Sequence, residues 1–248
     1  MNEKRIALVT GAMGGIGTAI CHKLKDDGYL VLATHRPGKE TAAQEWLQAE
    51  SFTAEEVAPL ALDVCGTQAC AQALKEVMEK YGRVDVLVNN AGLTRDTTFK
   101  RMTFEQWDEV INTNLNSLFN VTQPIFKTMC EQGSGRIINI TSINGLKGQF
   151  GQANYAAAKA GMIGFTKSLA LESARSGVTV NAVAPGYTAT PMVSALKDEV
   201  LESIKGQIPQ RRLATPEEIA KSISYLASDD AGFITGETLN INGGQYMH

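Results

Sequence analysis

The chain has 248 residues, of which 44% are hydrophobic and 20% charged, and its formal net charge is −3. This length fits one α/β domain whose core is large enough to hold without cross-links, and the composition excludes a disordered chain. The lack of a basic excess argues against nucleic acid as a partner, and no apolar run approaches the ~20 residues that cross a bilayer.

Short β-branched runs predict strands at Ile6–Val9, Tyr29–Ala33, Val57–Leu62, Val84–Val88, Arg136–Ile140, Val178–Val183 and Thr238–Ile241. Amphipathic patterns predict helices between them, among others at Gly15–Lys25, Gln68–Lys80, Thr103–Met129, Asn154–Ala174 and Pro216–Ala227. Runs that are continuously apolar, rather than alternating, belong to strands buried on both faces. Strands of that kind alternating with helices predict a single Rossmann-type, doubly wound α/β domain over residues 1–248. Its seven-stranded parallel sheet carries helices on both faces. The least regular stretch is Tyr187–Arg212, with Pro191 and Pro209 near its ends. Met192, Val193, Leu196, Val200, Leu201 and Ile204 recur there at near-helical spacing, which predicts a substrate lid. Cys21, Cys65, Cys70 and Cys130 form no C-x-x-C pair, and His22, His35 and His248 are scattered. Reduced, mostly buried thiols and no metal site are therefore expected. The opening MNEKRIALVTG lacks the layout of a signal peptide, so the cytoplasm is the expected compartment.

The first strand runs directly into Thr10-Gly11-Ala12-Met13-Gly14-Gly15-Ile16-Gly17, and a helix follows. Glycines at this place let the backbone turn tightly and approach a pyrophosphate seated on the helix N-terminus. A plain strand-to-helix turn uses glycine too, but the position after the first buried strand favours phosphate. The second strand ends in Ala33-Thr34-His35-Arg36, and no acid stands between Tyr29 and Arg36. An NAD enzyme places Asp or Glu there for the ribose 2′-hydroxyl. Arg36 offers a guanidinium that suits a 2′-phosphate, with Lys39 close by, so NADPH is the expected cofactor; a solvated strand-end arginine is the alternative. Asp63, after the third strand, is either an acceptor for the adenine amino group or a turn residue.

Tyr155 and Lys159 are four residues apart in a helical stretch and share one face. A phenol is a poor acid–base group at neutral pH unless perturbed, and a nearby ammonium favours phenolate. The pairing alone is common by chance. Ser142 at the end of the fifth strand, Asn89-Asn90-Ala91-Gly92 at the end of the fourth and Asn114 in the following helix supply context. In a parallel sheet such strand ends converge on one crevice.

With these motifs in hand, and with Pro185-Gly186 after the sixth strand, the chain resembles the short-chain dehydrogenase/reductase family over nearly its whole length. The resemblance implies a general-acid role for Tyr155 and, for Ser142, a hydrogen bond to the substrate carbonyl and its developing alkoxide. It implies that Lys159 lowers the Tyr155 pKa and binds the nicotinamide ribose, and that Asn114 holds a water that relays protons. Gly11, Met13, Gly14, Gly15, Ile16 and Gly17 would bind the nucleotide, as would Arg36 and Asp63. Asn90, Ala91, Gly92, Thr94, Pro185, Gly186 and Thr188 would line the cofactor, which Tyr155 and Lys159 also touch. A homotetramer is implied. One departure stands out. Many NADPH-dependent relatives carry a basic residue within the glycine loop, where this chain has Met13-Gly14, so the 2′-phosphate would rest on Arg36 and Lys39.

Within the family, Ser142-Ile-Asn-Gly-Leu-Lys-Gly-Gln149-Phe150-Gly151-Gln152-Ala-Asn-Tyr155, the segment Gly92-Leu-Thr-Arg95-Asp96 and the ending Asn242-Gly-Gly-Gln-Tyr-Met-His248 resemble one branch. It reduces acetoacetyl-CoA to (R)-3-hydroxybutyryl-CoA in polyhydroxybutyrate synthesis. The likeness implies acetoacetyl-CoA as substrate. Asp96, Gln149, Phe150 and Gln152 would then wall the acyl group, Tyr187 would close over it, and Lys197 on the lid would face the coenzyme A phosphates. Phe150 in a core or tetramer interface and a solvated Lys197 are the alternatives. Reduction of a 3-oxoacyl chain on acyl carrier protein is the second reading of the activity. A non-catalytic NADP-binding regulator is the third, and it would be expected to have lost Tyr155 or Lys159.

Overall fold

A computed structural model describes residues 4–247, apart from the side chain of Met192. Met1, Asn2, Glu3 and His248 lie outside the described residues, so the His248 end of the C-terminal motif and the Met192 position of the lid stripe do too. In chain order the elements are β1 (Ile6–Val9), α1 (Gly15–Asp26), β2 (Leu30–His35), α2 (Glu40–Ala49), β3 (Val57–Ala61), α3 (Thr67–Tyr81), β4 (Val86–Asn89), α4 (Phe104–Ile111), α5 (Ser117–Gln132), β5 (Gly135–Ile140), α6 (Ile143–Lys147), α7 (Ala153–Ser173), β6 (Val178–Pro185), α8 (Pro191–Ser194), α9 (Asp198–Gln207), α10 (Pro216–Ala227) and β7 (Thr238–Ile241).

All seven strands form one parallel sheet in the order β3-β2-β1-β4-β5-β6-β7. Successive residues of β1 point to opposite faces. Ala7 and Val9 join Ile20, Leu24, Ile219 and Ile223 on one side of the sheet. Ile6 and Leu8 join Leu74, Val121, Ile125 and Met129 on the other. This double burial explains the unbroken apolar runs of the central strands. It fails at the sheet edges, where β3 has one buried residue and β7 none. An edge strand has a neighbour on one side only, so its side chains are covered less completely.

The strand order reverses between β1 and β4. A reversal opens a crevice at the C-terminal ends of these strands, and ligands of parallel sheets bind there. A buried polar ladder runs across the sheet beside it. Asn89 Nδ2 donates to Thr122 Oγ1 (3.1 Å) and Asn139 Oδ1 (2.9 Å). Asn139 Nδ2 donates to Thr166 Oγ1 at 2.9 Å. These bonds tie α5 and α7 to β4 and β5 with directional contacts that apolar packing lacks.

The single helix expected over Thr103–Met129 is in fact two. A capping box starts α4: Gln106 N donates to Thr103 Oγ1 (3.2 Å) and Thr103 N to Gln106 Oε1 (3.1 Å). A π-helical turn at Asn112–Asn116 then separates α4 from α5. A π-turn inserts one residue into the helical period, which a hydrophobic pattern does not report.

The segment Tyr187–Arg212 is more ordered than expected. It contains α8 and α9, and its base is closed by Ala214 N donating to Tyr187 O (3.0 Å) and Ala189 N to Ala214 O (2.8 Å). Its apolar stripe is only partly covered: Ile204 is buried, Leu196 and Val200 are exposed. All four cysteines are free. Cys21 and Cys70 are buried, Cys130 half-buried and Cys65 exposed.

Candidate active site

The glycine loop sits at the head of the crevice. Gly11 has φ +62°, and a Cβ on it would stand 2.9 Å from Ala91 Cα, so only glycine fits between the two loops. Asn90 clamps the same junction by donating from Nδ2 to Thr10 O and Gly11 O, both at 3.0 Å. Thr10 Oγ1 returns the contact by accepting from Asn90 N and Ala91 N. The Asn90 amide thus holds the loop. Gly14 caps α1 without a side-chain hydrogen bond, and the first turn holds no acid. The N–H groups there remain available to an anion, backed by the helix dipole. Gly15 faces the start of the segment Tyr187–Arg212: a Cβ there would meet Thr190 and Pro191 at 3.0 Å. These features fit a dinucleotide pyrophosphate.

Arg36 and Lys39 are exposed beyond β2, and the Arg36 guanidinium makes no ion pair among the described residues. Asp63 Oδ1 accepts from Cys65 N at 3.0 Å, so one carboxylate oxygen serves the turn.

The fifth strand delivers Ser142, which caps α6 by accepting from Asn144 N at 3.1 Å. With its oxygen accepting there, the hydroxyl proton is free to point elsewhere, and Ser142 favours the ionised form of the Tyr155 phenol. Tyr155 and Lys159 lie on α7. Its start is fixed by Asn154, fully buried, which donates to Arg95 O (3.2 Å) and Gln106 O (3.1 Å) and accepts from Tyr155 N (2.8 Å). Lys159 Nζ lies 5.6 Å from the Tyr155 ring centroid and donates to Ile140 O at 2.6 Å. Thr141 Oγ1 donates to Lys159 O at 2.7 Å and locks that turn of α7 to the strand end. Gly92 stands beside both Asn114 Oδ1 and Lys159 Nζ.

The electrostatics differ from expectation. Burial pushes the Tyr155 phenol above its ordinary pKa. The Ser142 hydrogen bond pulls it down, and Asp96 pushes it further up. Lys159 stands beside that phenol. The ammonium is itself pushed down to about 7 by burial, with no acid offsetting it among the described residues. Asn114 is also tied to the loop after β4. Its Oδ1 accepts from Leu93 N and its Nδ2 donates to Leu93 O, both at 2.8 Å, so the amide pins the Gly92–Thr94 loop and keeps one lone pair and one N–H for a further partner. Asn114 sits in the π-turn, which explains why a helix with the regular period would not present it this way.

On the substrate side, Gln152 Nε2 donates to Asp96 Oδ2 at 2.8 Å, and Gln152 Oε1 accepts from Asn144 Nδ2 at 2.9 Å. Gln149 Oε1 accepts from Lys147 Nζ at 3.3 Å. Phe150 is 87% exposed, which removes the reading of a core residue within one chain. Pro185 is buried at the end of β6, and Gly186 N donates to Ile241 O at 2.8 Å. Thr188 is buried, with its hydroxyl on Gly186 O at 3.2 Å. Tyr187 lines a cavity of about 360 Å³ with Ile208, Gln210 and Asn242, whose walls include none of Ser142, Tyr155 and Lys159. Lys197 is exposed and is the N-cap of α9, one residue before the lid helix expected to carry it. The residues that sequence reasoning missed are Asn144, Asn154, Thr141, Asn139 and Thr166, and the bonds that join the last two to Asn89. Only the polar character of Asn89 and Asn139 at the ends of apolar runs hinted at them.

The model of the short chain dehydrogenase family matches residues 5–201. The chain is 58% identical over 248 residues to an acetoacetyl-CoA reductase from Acinetobacter sp., covering 100% of both chains. It is 52% identical over 244 residues to an acetoacetyl-CoA reductase from Allochromatium vinosum, covering 98% of this chain and 99% of that one. A 3-oxoacyl-acyl-carrier-protein reductase from Vibrio cholerae is 46% identical over 245 residues, with 99% and 98% covered. Sheet order, glycine loop, the Ser142–Tyr155–Lys159 arrangement and these full-length matches agree, and the chain is a member of the short chain dehydrogenase family of oxidoreductases.

Proposed function

We propose that the chain reduces acetoacetyl-CoA to (R)-3-hydroxybutyryl-CoA with NADPH. The observation that carries this reading is the convergence of Ser142, Tyr155 and Lys159 at the crevice beside the glycine loop, where the Ser142 hydroxyl favours the Tyr155 phenolate and Lys159 Nζ lies 5.6 Å from the Tyr155 ring centroid. The substrate follows from the full-length relatives named acetoacetyl-CoA reductase. A reduced nicotinamide dinucleotide, with its pyrophosphate on Gly11–Gly17, would supply the hydride when bound. The chain's own work is to orient and protonate. Tyr155, held protonated by its burial, donates its phenolic proton to the ketone oxygen. Ser142 donates its hydroxyl proton to the same oxygen in a hydrogen bond and stabilises the charge that gathers there. Lys159 binds the nicotinamide ribose and favours phenolate once the Tyr155 proton has left. Asn114 holds the Gly92–Thr94 loop against the cofactor. Pro185, Gly186 and Thr188 form the facing wall, Gln149, Phe150 and Tyr187 line the acyl side, and residues 187–212 close over it. We assign the chain to a homotetramer, which would cover the exposed Phe104, Phe119, Leu171 and Phe233.

The decisive experiment is steady-state kinetics with acetoacetyl-CoA and with acetoacetyl-carrier protein, each with NADPH and NADH. Higher kcat/KM for acetoacetyl-CoA with NADPH is expected. A preference for the carrier-protein substrate would move the chain to the second reading.

Two variants test the recognition residues. Arg36 is an exposed guanidinium where an NAD enzyme has an acid. Arg36→Asp is expected to raise the KM for NADPH by roughly 10–100-fold, the worth of a charge-assisted hydrogen bond, and to improve relative use of NADH. An unchanged NADPH/NADH ratio would assign the phosphate to another residue. Lys197→Glu reverses an exposed charge at the lid. It is expected to raise the KM for acetoacetyl-CoA several-fold at low salt and to leave that for NADPH alone, with the difference shrinking as salt is added. Equal effects on both substrates would point to a disturbed lid instead.

A further inference from the structure

The turn between β3 and α3 carries Asp63, and each of its peptide units is held. Asp63 O accepts from Gly66 N at 3.0 Å and from Cys70 Sγ at 3.1 Å, which closes the turn. Asp63 Oδ1 accepts from Cys65 N, while Oδ2 has no hydrogen-bond partner among the described residues, and the residue is exposed. The Cys65 N–H that fixes this carboxylate shares a trans peptide with the Val64 C=O, so the two point in opposite directions. Val64 O is held from outside the turn: Asn120 Nδ2, on α5, donates to it at 2.9 Å. A main-chain carbonyl only accepts, so the Asn120 amide has one orientation, and its Oδ1 is left to accept from Thr67 Oγ1 at 2.8 Å. Asn120 is buried at this place because α3 and α5 lie on one face of the sheet, where Leu74 and Val77 share an apolar cluster with Val121 and Ile125.

We propose that Asn120 is a positioning residue for the adenine end of the cofactor. By anchoring Val64 O it sets the peptide whose N–H holds Asp63 Oδ1, and so aims Oδ2 at the adenine amino group. It acts through one peptide unit and one carboxylate, with no contact of its own to the nucleotide. The proposal rests on the reading of Asp63 as the acceptor for that amino group. The apolar cluster already packs α3 against α5, so the amide is not needed for that contact. Without it the Val64 carbonyl turns to water and the Cys65 N–H turns with it. The carboxylate then samples several directions, and binding has to order it at a cost in affinity.

Titration calorimetry with adenosine 2′,5′-bisphosphate reads the adenine end without turnover and so stands apart from the reductase reading. Asp63→Ala is expected to weaken its binding about 10–100-fold, the worth of a hydrogen bond to a charged acceptor. Asn120→Ala is expected to weaken it about 5-fold and to raise the KM for NADPH by the same factor, with kcat and the KM for acetoacetyl-CoA unchanged. In an Asp63→Ala background the carboxylate is gone, so adding Asn120→Ala should change the affinity by less than about 2-fold. Asn120→Ser, whose hydroxyl is too short to reach Val64 O, serves if the alanine variant does not fold. A lowered melting temperature with unchanged affinity for the bisphosphate would make Asn120 a purely structural residue and overturns the proposal. A loss that persists in full in the Asp63→Ala background overturns it too, because Asn120 would then act elsewhere. Unchanged binding by Asp63→Ala alone overturns the adenine reading and the proposal with it. A loss there with none from Asn120→Ala overturns the proposal and leaves the adenine reading standing.

Discussion

Tyr155→Phe is expected to lower kcat for acetoacetyl-CoA by about 10²–10⁴-fold, the usual worth of a positioned general acid, and to leave NADPH affinity nearly unchanged. The ring stays where Asn154 places it, because the anchoring bonds are to the main chain and to the Asn154 amide. Only the proton donor is lost. The phenol's raised pKa predicts the pH profile of the wild-type chain. Reduction needs the protonated form, so kcat/KM should hold at neutral pH and fall as pH rises through the Tyr155 pKa. Oxidation of the 3-hydroxy product needs phenolate and should rise over the same range. Stopped-flow traces with saturating NADPH separate chemistry from product release. Turnover within a few-fold of wild type would remove Tyr155 from the proton transfer.

Most of the scaffold is legible in the sequence, and the reason is physical. The central strands are buried on both faces, so Ile6–Val9 stands out as an unbroken apolar run and Val178–Val183 as one interrupted only by Thr179 and Asn181. The glycine loop is legible because the close approach of Gly11 to Ala91 admits no side chain. The π-turn at Asn112–Asn116 is not legible, because one inserted residue barely changes the apolar period of Thr103–Met129. Nor is the use of the Asn114 amide: its partner Leu93 is an apolar residue recruited through its main chain, which carries no sequence signal. Asp96 and Gln152 are remote in sequence, and only the fold brings their side chains to 2.8 Å. Sequence reasoning places both near the crevice as polar residues walling the substrate, while their bond to each other needs the structure. The same reasoning makes Lys159 a cation acting on Tyr155. The depth of its burial, which turns that cation into a titrating amine near neutral pH, depends on α7 packing against β5.

That burial gives the second large effect. Lys159→Met is expected to abolish most reductase activity and at the same time to raise the melting temperature at pH 7 by roughly 5 °C. The side chain is 3% exposed, and no acid among the described residues offsets the charge. Its ammonium is held by Ile140 O and touches Met162 Sδ at 3.4 Å. Desolvation carries its pKa from 10.5 to about 7. The unfolded chain therefore binds more protons at this site than the folded one between about pH 7 and pH 10.5. Stability rises with pH wherever the unfolded state binds more protons, so the folded wild type should gain stability across that window. The penalty is present in full below pH 7 and gone above 10.5. It amounts to a few kcal/mol at most, since a tenfold change in proton affinity corresponds to about 1.4 kcal/mol. Methionine fills the same volume without the charge. Its cost is the lost bond to Ile140 O, about 1.5–3 kcal/mol for a charged donor to a buried carbonyl, and the net gain is the part of the desolvation penalty that exceeds it. The variant's stability should therefore change less with pH than wild type over the same range. Chemical denaturation at pH 7 and pH 9 reads both slopes. A variant less stable than wild type at pH 7, or one that keeps the full wild-type pH slope, would show that the ammonium is well solvated in the fold and that its burial is not what the site tolerates for the sake of holding the ribose and the phenolate.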